Sequence, residues 1–330
     1  MPSHLLKSDH IHTVWDAALE PALRVEDGAT VTFQTLEASY GSVARQVQAG
    51  AAGDPLHALV SADAYPERPS TGGQRGHPLT GPVYVEGARS GDTLVVELLE
   101  VQPGSWGWTG VRPGGIGLLD HELSASGALG APYTHFWDLR GDHTDFLPGI
   151  RLPLAPFPGV VGLAPAAPGP HPTSPPRRVG GNMDVRQLVA GSTLYLPVEV
   201  EGALLSIGDV HAAQGDGELC GTGIETDGVV TVRLSVRHDW PIDSPQLQTP
   251  PEPTALWAQG AFQVTGHAPD LMEAARIALR GMLRHLGREY GLELPQAYVL
   301  CSACVDLRIS QVVDAPNWTV SALLPLSIFS

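Results

Sequence analysis

Asp209 and His211 stand two residues apart at the end of an apolar run, residues 202–207, and a glycine-rich stretch carrying Gln214, Asp216 and Glu218 follows them. In an extended strand residues i and i+2 project from one face, so this carboxylate and imidazole would leave the backbone together. One imidazole with a few fixed oxygen donors suits a divalent cation, and a spare carboxylate nearby suits proton transfer from water. A polar turn with a surface histidine has the same composition and is the bland alternative. Asp184 follows Gly180, Gly181 and Asn182, in a segment able to bend sharply toward a ligand. It would serve equally as an Asx-turn or as the N-cap of a helical turn over residues 185–189. Alternation along a strand after the turn puts Glu218, Cys220 and Thr222 on one face and Glu225 on the other. On that pattern Glu218 and Glu225 do not serve one ion unless a bulge intervenes.

The remaining polar candidates are weaker. His10 and His12 share a face if extended, His77 precedes Pro78 in an expected turn, and His135 and His143 lie among Trp137, Asp138, Asp142 and Asp145. Solvated surface groups explain most of these. Trp106 and Trp108, in a glycine-rich stretch expected to be a loop over residues 103–117, either wall a small-molecule pocket or anchor their own loop.

The elements that must position these groups are short. With 38 Gly and 30 Pro in 330 residues, the chain is cut as β-rich architectures are. Residues 23–26 and 30–33 flank Asp27-Gly28 as a hairpin would, residues 82–86 lead through a glycine turn into 93–98, and a third hairpin is expected from Cys220 through Asp227-Gly228. Residues 165–176 hold six prolines and read as a stiff loop. Beyond Pro269, Leu271, Ala275, Ala278, Met282, Leu286 and Tyr290 form one apolar stripe of a helix closed by Gly291. A second helix is expected from Pro295, then strands near 307–313 and 319–324. The predicted fold is a β-rich α+β protein, with an antiparallel barrel or sandwich core and a smaller C-terminal α+β part. Its predicted division is a β-rich metal-site domain over 1–240, a Pro-rich connector over 241–260 and the C-terminal part over 261–330.

A hydrophobic content of 43% with 16% charged residues is that of a globular chain, and no apolar run is long enough for a membrane span. The polar first dozen residues lack a signal-peptide core, so cytoplasmic residence is expected. A formal charge of −16 argues against nucleic acid as a partner. The three cysteines, Cys220, Cys301 and Cys304, cannot build a disulfide framework and are expected to be buried thiols.

Several segments together resemble the acetamidase/formamidase family. They are residues 208–218, Gly180-Gly181-Asn182-Met183-Asp184, Leu196-Pro197-Val198 with Gly202-Ala203, residues 77–82, residues 156–162 and residues 305–313. The matches run in order over most of the chain. Members often carry an Asp-Ala pair and a later Gly-Gln after the first hairpin, where this chain has Glu37-Ala38-Ser39-Tyr40-Gly41-Ser42. The resemblance implies hydrolysis of short aliphatic amides, formamide or acetamide, to carboxylate and ammonia. It also implies a bound divalent cation and a homo-oligomer, a dimer or larger. The chain has a single lysine, Lys7, and no Gly-x-Ser-x-Gly elbow, consistent with a hydrolase that activates water rather than a side-chain nucleophile.

On that basis Asp209, His211 and Asp184 are the expected metal ligands, with zinc first and calcium or magnesium as alternatives. Glu218 is the expected proton shuttle, a role that could exchange with Asp184, and Asn182 or a backbone N–H would steady the oxyanion. The rival readings are a hydrolase of another small C–N bond, a non-catalytic protein with a structural calcium ion, and an amide sensor.

Overall fold

The structure is a computed structural model that describes residues 3–49, 60, 65, 76–250, 259–313 and 315–329; part of the expected Pro-rich connector, 251–258, lies outside them. The fold is β-rich α+β, 40% strand and 16% helix, and no sheet among the described residues closes as a barrel. Two compact units divide the chain. The first holds Met1–Trp106, Pro156–His211 and Glu225–Glu252; the second holds Gly107–Ala155, Ala212–Ile224 and Pro253–Ser330.

The first unit is two sheets around one core. One sheet has the order Ser3–Leu6, Thr30–Thr35, Gly228–Arg237, Thr93–Pro103, Thr193–Pro197, Gln246–Gln248. The strands Thr30–Thr35 and Gly228–Arg237 alternate buried and half-buried residues, the mark of one face turned inward. In the other sheet, Leu205–His211 is paired with Phe157–Gly162, Leu79–Val85 and Glu225–Thr226, and Gly180–Asn182 extends it beyond Phe157–Gly162. Leu205–His211 is buried at every position. Phe33, Leu94, Val96 and Val232 of the first sheet share a core with Val83, Val161, Leu205 and Ile207 of the second, as in a sandwich.

The three expected hairpins are not formed. Leu23–Val25 runs parallel to Leu79–Val85, whereas Thr30–Thr35 pairs with Ser3–Leu6 and Gly228–Arg237. Leu79–Val85 and Thr93–Pro103 likewise belong to different sheets, and Glu225–Thr226 pairs with Leu205–His211 while Gly228–Arg237 joins the first sheet. The glycine turns are present, with Gly28 at φ 85° and its N–H donating to the Leu234 carbonyl. They act as corners between sheets. Local turn chemistry reverses the chain but does not choose the partner, and the buried face of each strand is satisfied equally well across a sandwich. The expected loop at 103–117 is also corrected: Trp106–Val111 is a strand, its Trp and Val supplying the β preference that the intervening glycines masked.

In the second unit the helix Leu271–Tyr290 is capped by Asp270, which accepts from the Glu273 N–H, and ends at Gly291 in a left-handed conformation. Pro269 therefore precedes the cap. Leu294–Cys304 follows with Pro295 in its first turn, and Ala261–Ala268, Trp318–Pro325 and Asp306–Gln311 form a three-stranded sheet. Cys220, Cys301 and Cys304 are buried free thiols, and burial raises the Cys301 thiol well above its ordinary range.

Candidate active site

Asp209 and His211 project from the centre of the second sheet of the first unit. Asp209 is 3% exposed and has φ 57°, a left-handed conformation inside a strand. Such a residue costs about 1–3 kcal/mol and persists only where its surroundings overdetermine it. Here strands on both sides do so. The register sets His211 opposite both Phe157 and Glu225. His211 Nε2 lies 3.5 Å from Asp209 Oδ2 and 3.2 Å from Glu225 Oε2, and the Phe157 ring meets the imidazole edge-on.

Asp184, also left-handed at φ 50°, follows the Gly180–Asn182 strand and heads a turn; of the two bland alternatives, the helical turn over 185–189 is not formed. Its N–H donates to the Gly159 carbonyl. A Cβ on Gly159 would lie 2.6 Å from Asp184 Oδ1 and 3.0 Å from Asp209 Oδ2. The two carboxylates thus converge over Gly159, which has no side chain to separate them.

The electrostatics follow from this crowding. Burial opposes charge on every group. Beside Asp209, His77 and His211 outweigh burial and hold the carboxyl well below the usual carboxylate range. Burial would lower His211, but Glu225 and Asp209 raise it well above the ordinary imidazole value. Glu225 is pushed up to about 8 by burial, against the pull of His211, and Asp184 is raised to about 6 for the same reason.

Asp209, His211 and Glu225 offer one nitrogen and two carboxylates whose ligand atoms all lie within 4.8 Å of one another. Asp209 Oδ1 is buried and accepts no hydrogen bond, a costly state for a carboxylate unless something else binds it. A mixed N/O donor set with an oxygen left over fits a divalent cation such as zinc, which takes His and Asp/Glu together.

Of the residues singled out in the sequence, Asp184, Asp209 and His211 come together, and Asn182 lies two residues before Asp184 in the same segment. Glu218 lies in the second unit, in a turn at φ 46°, and residues 212–224 contain no strand, so the alternation that separated it from Glu225 does not apply. Glu225, set on the opposite strand face, and His77, read as a turn residue, are the residues that sequence reasoning weighed and set aside. A signal for Glu225 was present: a glycine-rich excursion that leaves after His211 returns the chain opposite the same histidine. Trp106 is buried and its carbonyl accepts from Thr226 Oγ1, and Trp108 is half-buried on the same strand. His10 is exposed beside Asp9, while His12 turns inward between the Val14 carbonyl and Ser206 Oγ. His143 is exposed beside Asp142, and His135 packs on Trp137 and Phe146.

A buried acid–imidazole cluster stands on a sheet whose strands flank it on both sides, in a chain with no nucleophile elbow. The chain matches the Acetamidase/Formamidase family over residues 3–170 and 166–330, and it belongs to that family. It is 30% identical to a formamidase of Methylophilus methylotrophus over 77% of each chain. It is 30% identical to an acetamidase of Mycolicibacterium smegmatis over 48% of this chain and 53% of that one. Among solved structures it resembles a gamma lactamase from Delftia acidovorans, with TM-score 0.81, 27% identity and coverage of 100% of this chain and 94% of the other. An acetamidase from Bacillus halodurans matches with TM-score 0.61, 33% identity and coverage of 98% and 97%. The chain is an amidohydrolase acting on small amides. No helix among its described residues is long and apolar enough to cross a membrane.

Proposed function

We propose that this chain hydrolyses short aliphatic amides, formamide and acetamide first, with a divalent cation held by Asp209, His211 and Glu225. The observation that carries the reading is Asp209 Oδ1, buried and without a hydrogen bond beside an imidazole and a second carboxylate. The chemistry supplied by such a cation, when bound, is polarisation of the amide carbonyl and a lowered pKa for water, roughly 7 in good zinc sites. Asp184, whose pKa of about 6 leaves it mostly ionised at neutral pH, accepts the proton of the attacking water and returns it to the departing nitrogen. Glu218→Gln tests the competing assignment of that role. His77 helps to keep Asp209 ionised.

A small cyclic amide is the second reading, favoured by the TM-score of 0.81 to the gamma lactamase against 0.61 to the acetamidase. A homo-oligomer is also proposed. It is supported by apolar Ile309 and Val313, 61% and 80% exposed, at the end of the second unit's edge strand, and light scattering measures it.

The deciding experiment is ammonia release from formamide and acetamide before and after chelator dialysis, with zinc then restored. Activity should vanish and return. Turnover unaffected by complete metal removal would overturn the cation; no ammonia with any metal would overturn the linear-amide substrate.

A further inference from the structure

Trp15 has no part in the reading above, yet its indole is unsatisfied. It is 2% exposed, packs against Leu79 and Val160, and its Nε1–H donates to nothing. Buried indole N–H groups usually find an acceptor. A Cβ on Gly162 would meet the indole Cη2 at 3.0 Å and one on Gly181 would lie 3.7 Å from Nε1, so the N–H edge lies beside Gly181. The next residue is Asn182, whose Oδ1 is also buried and accepts nothing. Asn182 pairs in register with Val160, the residue against which Trp15 packs. Residues paired in this way share a sheet face. An open donor and an open acceptor therefore flank Gly181. Gly159, next to Val160 in the chain, borders the carboxylates of Asp184 and Asp209.

We propose that Trp15 Nε1–H and Asn182 Oδ1 are a donor–acceptor pair that reads one edge of the substrate amide, donating to its oxygen and accepting from an N–H that points the same way. This deepens the function proposed above and rests on it. Every primary amide has one N–H syn to its oxygen. A small lactam has one too, because its ring forces the cis arrangement. An open-chain secondary amide does not, since trans is favoured by about 2.5 kcal/mol in simple cases and turns N–H and C=O in opposite directions. In the reaction the C–N bond breaks and a C–O bond to water forms. Both of the water's protons go to the nitrogen, giving carboxylate with ammonium or, from a lactam, the open amino acid as its zwitterion. The pair holds the amide in place and takes no proton.

The test compares acetamide, 2-pyrrolidinone and N-methylacetamide on the metal-loaded protein and on Trp15→Phe and Asn182→Ala, with metal content and Tm measured alongside. The lactam is larger than N-methylacetamide, so size cannot produce the expected order. The wild type should prefer the first two by about tenfold or more in kcat/KM, the scale of one buried polar contact. Each variant should lose about tenfold on those two and under about twofold on N-methylacetamide, with metal content unchanged. Equal losses on all three substrates, or a wild type that accepts N-methylacetamide as well as acetamide, would overturn the pair. Asn182→Ala removes less volume than Trp15→Phe, so a folding defect in one leaves the other to decide. Should the wild type hydrolyse none of the three, the function fails separately. The same ranking in amide-induced Tm shifts then decides the pair, and equal shifts for all three would overturn it.

Discussion

Two acidic clusters are buried in the first unit, and they are opposites. Around Glu37, the carboxylate accepts from Ser39 N–H, Ser39 Oγ and the Gly41 N–H at the start of the Ser42–Ala49 helix. Asp227 accepts from the Glu37 N–H at 2.8 Å and from the Tyr65 hydroxyl at 2.9 Å. Around Asp209, an oxygen is left without a hydrogen bond, two acids hold left-handed backbone, and a histidine shares two carboxylates. Burial is common to both clusters and distinguishes neither. What separates them is satisfaction: one closes its own hydrogen bonds, the other leaves the Asp209 Oδ1 acceptor for something else.

The contrast breaks most visibly in turnover. Asp209→Asn and His211→Ala should each abolish cation binding and lower kcat/KM by at least about a thousandfold; metal content by atomic absorption and ammonia release check both, and full occupancy would refute the ligand assignment. Asp184→Asn should keep the metal and lower kcat by about 10²–10⁴, the usual worth of a positioned general base. Because Asp184 must be ionised and its pKa lies at about 6, wild-type kcat/KM should fall as pH drops through that value, and the fall should be absent from the residual rate of Asp184→Asn.

In the satisfied cluster the same substitutions should move stability and leave the metal alone. Glu37→Ala orphans three donors and should cost about 2–4 kcal/mol by urea unfolding. Asp227 gives the smallest effect. Burial raises it to about 6 from 3.8, so the stability tied to its proton is fully present below 3.8 and lost as pH rises through about 6. Asp227→Asn should therefore be more stable than wild type by about 1 kcal/mol at pH 8 and match it near pH 4.

Much of the site was legible because its parts lie close along the chain: Asp209 with His211, and Asn182 with Asp184. The C-terminal helices were legible for the same reason, their stripes and caps being local. Glu225 was hidden by an assumption of continuous strand through residues 212–224, where the chain leaves the sheet. Trp15 gave no signal, since an unsatisfied indole is a fact of surroundings and not of spacing. The strand pairings failed in the same way, because Asp27-Gly28 and its counterparts reverse direction without specifying which sheet receives the next strand. The departure at Glu37 becomes intelligible only in three dimensions: its longer side chain reaches the N–H groups at the head of a helix.

Asp209 sits in the middle of a sheet, with hydrogen-bonded strands on both sides of its own. That location ties the site to the slowest-opening part of the molecule. A loop-borne site can form and dissolve while the rest of a protein stays folded. This one cannot, because the left-handed turn of Asp209 exists only while its neighbours hold it. Acquisition of the cation should accordingly come late in folding, and its release should keep pace with global unfolding rather than with local breathing.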